Sequence, residues 1–108
     1  MPHRKVTAII RSDALEKVES RLQEFGVRGI SVSRVKGYGE YANFYARDWL
    51  TSHARIEIFT AAEHAEQIVA AIIDAAHVGQ AGDGIVAILP VEKLYRIRSR
   101  AEAFAGEI

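Results

Sequence analysis

The chain has 108 residues, 49% hydrophobic and 26% charged, with no cysteine. A chain of this size buries roughly 65% of its unfolded surface, enough for one domain with a modest core. The composition excludes a disordered chain, a collagen-like repeat, a coiled-coil rod, disulfides and cysteine-held zinc or iron–sulfur sites. Lys+Arg and Asp+Glu number 14 each. No basic surface of the kind that neutralises nucleic-acid phosphates is therefore expected, although a small anion needs only two or three donors. Apolar runs such as Ile68–Ala76 are too short and broken to span a bilayer, so no membrane insertion is expected. Met1–Lys5 leads into no uninterrupted apolar stretch or cleavage site, so no signal peptide is expected and the cytoplasm is the expected compartment.

In chain order, Lys5–Arg11 reads as a strand apolar on both faces. Ser12 or Asp13 is placed to cap a helix, and Asp13 with Glu16 has capping-box spacing. Leu15, Val18, Leu22 and Phe25 recur at helical spacing, and Gly26 stands where a left-handed C-terminal residue belongs. A second strand is predicted from Gly29 to about Lys36, broken by Gly37-Tyr38-Gly39, and the aromatic stretch Glu40–Leu50 reads as a loop. His53–Phe59 alternates strictly, as a half-buried strand does. Thr60–Glu63 looks like a second capping box, opening a helix to about His77 with Ile68, Ile72 and Ala76 on one stripe. A glycine-rich loop, Gly79–Gly84, leads to Ile85–Leu89, an apolar strand expected to be central or covered, which Pro90 ends. Val91–Arg98 is read as extended or turn, and the residues from Ser99 as a small polar tail.

The order β-α-β-β-α-β is the ferredoxin-like α+β arrangement, an antiparallel sheet with both helices on one face. Strands apolar on both faces then need a cover for the open face, and other copies of the chain are the expected one.

Three constellations bear on chemistry. In Gly79–Gly84 the glycines permit positive φ, so successive N–H groups can converge on an anion; on spacing alone, an ordinary connection with a glycine C-cap and an Asp-Gly turn is the simpler account. Arg96-Ile97-Arg98, if extended, aims two guanidiniums to one side, which suits phosphates; a solvated strand edge is the simpler account. Val35–Gly39 holds a G-x-G that lacks the third glycine and opens no helix, so it is no dinucleotide fingerprint; a strand end where backbone approaches a ligand remains open. His53 and Glu57 share a strand face, while His3, His64 and His77 are scattered without metal-ligand spacing. No nucleophile elbow, triad order, P-loop or paired-carboxylate pattern is present, so no catalysis is expected.

Taken together, six stretches in order give the chain a resemblance to the P-II nitrogen-regulatory proteins and their P-II-like relatives over nearly its whole length. They are Ala8–Arg11, Gly26–Val32, Val35–Gly39, Arg55–Ile58, Gly79–Gly84 and Pro90–Glu92 through Arg96–Arg98. The resemblance implies a single domain over 1–108, a homotrimer, a signalling loop at about 38–51 and a tail at about 99–108. It implies an adenine nucleotide (ADP, AMP or ATP) in clefts between subunits. Gly82, Asp83 and Gly84 would hold phosphates through backbone amides, and Arg96 and Arg98 would reach them from the neighbouring chain. The turn Val27, Arg28 and Gly29 after the first helix and the strand end Lys36-Gly37 would line adenine and ribose, with Ser31, Tyr38 and Gly39 counted among the nucleotide-binding residues. The loop would carry the signal to a transporter or an enzyme.

Departures from the nitrogen regulators are specific. The loop is shorter and has no match to their uridylylated tyrosine segment. Glu40-Tyr41 replaces the Arg-Gln pair whose glutamine serves magnesium and 2-oxoglutarate. Gln80 and Ile85 replace two lysines near the phosphates; each lost charge-assisted contact is worth roughly 1.5–3 kcal/mol, so ADP or AMP is expected to compete with ATP. This pattern is similar to the P-II-like branch of carboxysome- and bicarbonate-associated proteins, which makes bicarbonate a candidate second effector. The competing expectations are a divalent-cation-tolerance-like trimer using His53 or His64, and an enzyme of the same fold.

Overall fold

A computed structural model describes residues 1–35 and 52–104. Strand β1 (His3–Arg11) leads through a 3-10 turn (Ser12–Ala14) into helix α1 (Leu15–Glu24). Strands β2 (Ser31–Val35) and β3 (His53–Ala61), a second 3-10 turn (Ala62–His64) and helix α2 (Ala65–Ala76) follow. The chain continues with β4 (Gly84–Val91), β5 (Tyr95–Arg96) and β6 (Ala101–Glu102). The four long strands form an antiparallel sheet in the order β2-β3-β1-β4, and β5 pairs with β6 apart from it. The ferredoxin-like α+β arrangement expected from the order of elements is the one found.

Period-two alternation sets the two faces. Val6, Ala8 and Ile10 of β1 and Ala54, Ile56 and Ile58 of β3 are buried with Val18 and Leu22 of α1 and Ile68 and Ile72 of α2. This is the core, and truncating one of its isoleucines to alanine costs about 2–5 kcal/mol. The opposite face carries Lys5, Thr7 and Ile9 beside Arg55, Glu57 and Phe59 and, across β1, Ile85, Ala87 and Leu89.

Several expectations are corrected. Neither helix starts on a side-chain cap: the N-caps are Ala14 and His64, each preceded by a 3-10 turn, and no side-chain cap hydrogen bond forms. Thr60 is instead buried on β3, because the strand continues to Ala61 and turns its alternate residues into the core. Phe25, placed on the apolar helical stripe by its spacing, lies beyond the helix and is 48% exposed. Of the two alternatives for β4, central or covered, the central one is corrected: β4 is an edge strand, with Val86 and Ile88 packed on the core and Ile85 and Leu89 half-exposed on the face without helices. Arg96 and Arg98 do not share an extended segment. Arg96 ends β5 and pairs with Ala101, so Ile97–Arg100 form a tight connection, with Arg100 N–H donating to Ile97 C=O (3.2 Å) and Arg100 at φ +58°. The residues after Ser99 are no plain tail either: they form β6, and Ala103 is buried, its N–H bonded to Leu94 C=O at 2.8 Å.

Candidate functional site

Helix α1 ends in a Schellman motif, with Gly26 at φ +90°. Val27 N–H donates to Leu22 C=O and Gly26 N–H to Gln23 C=O, both at 3.0 Å. Val27 then packs on the core, which fixes the path of the chain through Arg28, Gly29 and Ile30 into β2. That path forms one rim of a cleft of about 760 Å³. The β3 residues Glu57–Thr60, the start of α2 at His64 and Gln67, and Arg96 supply the rest.

The cleft exists because the two strands beside it differ in length. β2 begins at Ser31, opposite Glu57, whereas β3 runs on to Ala61. Ala62 N–H donates to Pro2 C=O at 2.9 Å. In an antiparallel ladder this directs the main-chain groups of Thr60 and Ile58 toward β1, and those of Phe59 toward the side β2 leaves open. One backbone donor and one backbone acceptor thus face the cleft, beside the half-exposed Phe25 and Phe59 rings. Glu57 is paired with Lys5. The Lys5 hydrogen bond holds its carboxyl below the usual carboxylate range, against desolvation that raises it, with the Lys5 and Arg55 charges adding to the lowering. Lys5 also lies 5.9 Å from the Phe59 ring centroid.

The glycine-rich turn is a separate construction toward the other end of the sheet, where Gly84 pairs with Ile10 and Arg11 with His53. Gly79, Gly82 and Gly84 all have positive φ. Gly84 must be glycine, because a Cβ there would land on the Ile9 carbonyl oxygen. The Asp83 carboxylate accepts hydrogen bonds from Gly79 N–H (2.8 Å) and Val78 N–H (3.0 Å), and its other oxygen lies 3.5 Å from Arg11 Nη1. Burial raises the Asp83 carboxyl, but those two amides together with the Arg11 and His77 charges outweigh it and leave it below its ordinary value. Asp83 therefore shapes the turn and occupies the Val78 and Gly79 amides, which no ligand can then share. His53 is buried, with Nε2 3.4 Å from Gly82 C=O. The neighbouring Ser52 is tied to Ser12 by their hydroxyls at 2.8 Å.

Of the residues singled out by sequence, Gly29, Ser31 and Arg96 meet in the cleft. Gly82, Asp83, Gly84 and Arg98 do not line it. Lys36, Gly37, Tyr38, Gly39 and the loop at 38–51 lie outside the described residues. Sequence reasoning missed the Phe59 edge, Phe25 and Gln67, and it named His64 only for the competing metal reading; nothing in the predicted strand lengths pointed to the open edge. Among the described residues no group of three His, Asp or Glu side chains is placed to hold a metal, and His53 and His64 sit at the glycine turn and the cleft respectively. Among the described residues no helix is long and apolar enough to cross a membrane.

Comparisons with known proteins agree with this architecture. The family model described as "Nitrogen regulatory protein P-II" matches residues 3–101. The P-II protein of Rhizobium meliloti (strain 1021) is 36% identical over 104 residues, covering 89% of this chain and 92% of that protein. The Arabidopsis thaliana P-II homolog is 30% identical over 117 residues, which takes in 96% of this chain and 60% of the relative's length. A crystal structure of Arabidopsis thaliana PII bound to citrate superposes with a TM-score of 0.81 at 32% identity, covering 94% of this chain and 89% of that one. These relatives are regulatory proteins, and the chain belongs to the nitrogen regulatory protein P-II family, a family of signal-transduction regulators.

Proposed function

We propose that this chain is a P-II-like sensor. It binds an adenine nucleotide (ADP, AMP or ATP), with bicarbonate as a second effector, in clefts between the subunits of a homotrimer. It controls a transporter or an enzyme through the loop at 38–51, in the cytoplasm and without chemistry of its own. The observation that carries this reading is the separation within one chain of the cleft residues Gly29, Ser31 and Arg96 from the glycine turn Gly82–Gly84. Two half-sites that one chain keeps apart make a whole site when a neighbouring copy brings its turn to this cleft. The face with Ile9, Ile85, Ala87 and Leu89 offers apolar surface for that assembly. Outward-facing Phe59 N–H and C=O match the ring-nitrogen acceptor and amino donor along the edge of adenine. The citrate carried by the Arabidopsis relative supports room for a polyanion in such a protein.

Calorimetric titration with AMP, ADP, ATP and adenosine, each with and without bicarbonate, tests the reading. Saturable binding with a nucleotide preferred over adenosine is expected, in a particle whose scattering mass is three chains. No binding at millimolar nucleotide, or a monomeric mass, overturns it.

A further inference from the structure

Arg11 and His53 face each other at one end of the β1–β3 ladder, and both reach the glycine turn. They hold it in different ways. Arg11 meets the Asp83 side chain, with Nη1 3.5 Å from Oδ1, and that oxygen accepts no hydrogen bond among the described residues. His53, only 1% exposed, meets the main chain, with Nε2 3.4 Å from the Gly82 carbonyl oxygen. A carbonyl oxygen only accepts, so this contact requires the ring proton on Nε2. Gly82 has φ +96°, where glycine meets few steric limits, so the orientation of the peptide that follows depends on what holds it. A trans peptide sets the Gly82 carbonyl and the Asp83 N–H in opposite directions. The Asp83 N–H therefore points away from His53. It reaches the Gln80 carbonyl at 3.3 Å, a long bond that a charged oxygen can displace.

We infer that His53 is a positioning residue for phosphate binding: by holding the Gly82 carbonyl it aims the Asp83 amide of the glycine turn at a phosphate oxygen. This rests on the nucleotide reading above and deepens it. An unheld glycine peptide would have to be ordered when the ligand arrives, and an amide set beforehand avoids that loss of affinity. The turn stands toward the other end of the sheet from the Phe59 edge, so the hold acts on the phosphates and leaves recognition of the base untouched.

The test is calorimetry with ADP and adenosine on the wild type, His53→Leu and His53→Gln, with thermal midpoints measured on each and nitrogen-15 NMR of the wild-type His53 ring. His53→Leu fills similar space and cannot donate; it should weaken ADP by about fivefold or more and leave adenosine within about twofold. His53→Gln keeps a donor for the same carbonyl and should bring ADP back to within about threefold of the wild type, a rescue that filling space alone does not give. The NMR should place a proton on Nε2. Where His53→Leu does not fold, His53→Phe, a ring without a donor, takes its place. A donor-free variant that keeps its ADP affinity, one that loses ADP and adenosine equally, a His53→Gln no better than it, or a proton on Nδ1 alone overturns the assignment while leaving the nucleotide reading standing. A wild type that binds neither ADP nor adenosine ends both.

Discussion

The cleft and the glycine turn are both built around glycine, and they use it in opposite ways. At the cleft, a side chain added at Gly29 meets nothing within 4 Å, so the rim is open and changeable. At the turn, Gly84 sits against the Ile9 carbonyl at φ +108° and Asp83 binds two amides of its own loop, so the conformation is fixed before any ligand arrives. One region is thus preorganised backbone, and the other presents side-chain positions that can change without disturbing it.

The sharpest way to break this contrast is a pair of alanines. Gly84→Ala should cost more than about 3 kcal/mol or abolish folding, since backbone rather than a flexible side chain would have to move. Gly29→Ala should stay within about 1 kcal/mol. Urea unfolding of both variants gives the comparison, and similar losses would show that the two regions are equally constrained. Next in size is Asp83→Ala, expected to cost about 1–2 kcal/mol through the unmet Val78 and Gly79 amides. Its pH dependence sharpens the point. The folded carboxyl of Asp83 lies below its ordinary value of 3.8, so its stabilisation is present above that pH and is lost as pH falls through the lower folded value. Asp83→Asn should therefore flatten the acid limb of the stability profile below pH 3.8, and an unaltered limb would assign the acid loss elsewhere. The smallest effect belongs to neither region. Arg21 and Asp74 lie 2.6 Å apart between α1 and α2, with side chains 37% and 66% exposed. A double-mutant cycle should return a coupling below about 1 kcal/mol, lowered further by salt.

Periodicity made β1, β3 and both helices legible, because burial on one face repeats every two residues in a strand and about every 3.6 in a helix. The helix starts were misread because capping-box spacing is a local cue. Before α2 the strand β3 runs past the expected cap to Ala61, so Thr60 is buried, and before α1 a 3-10 turn, Ser12–Ala14, takes up the residues expected to cap. The run Ile85–Leu89 could not reveal an edge position, since an apolar strand looks the same whether helices or another surface cover it. Gly84's necessity depends on Ile9, far away in sequence, and the burial of His53 on the loop end at Gly82. Both are facts of tertiary contact. At the candidate site the types of residue were readable, while their division between two places was not: Arg96 and Arg98 look like a pair in sequence, and the β5–β6 hairpin separates them.

The collision that forbids a side chain at Gly84 also limits how this chain can be diversified. Laboratory evolution of this chain will find that position frozen, and tolerated substitutions should gather among Arg28, Gly29, His64 and Gln67, where altered chemistry leaves the hydrogen-bonded frame of the sheet intact.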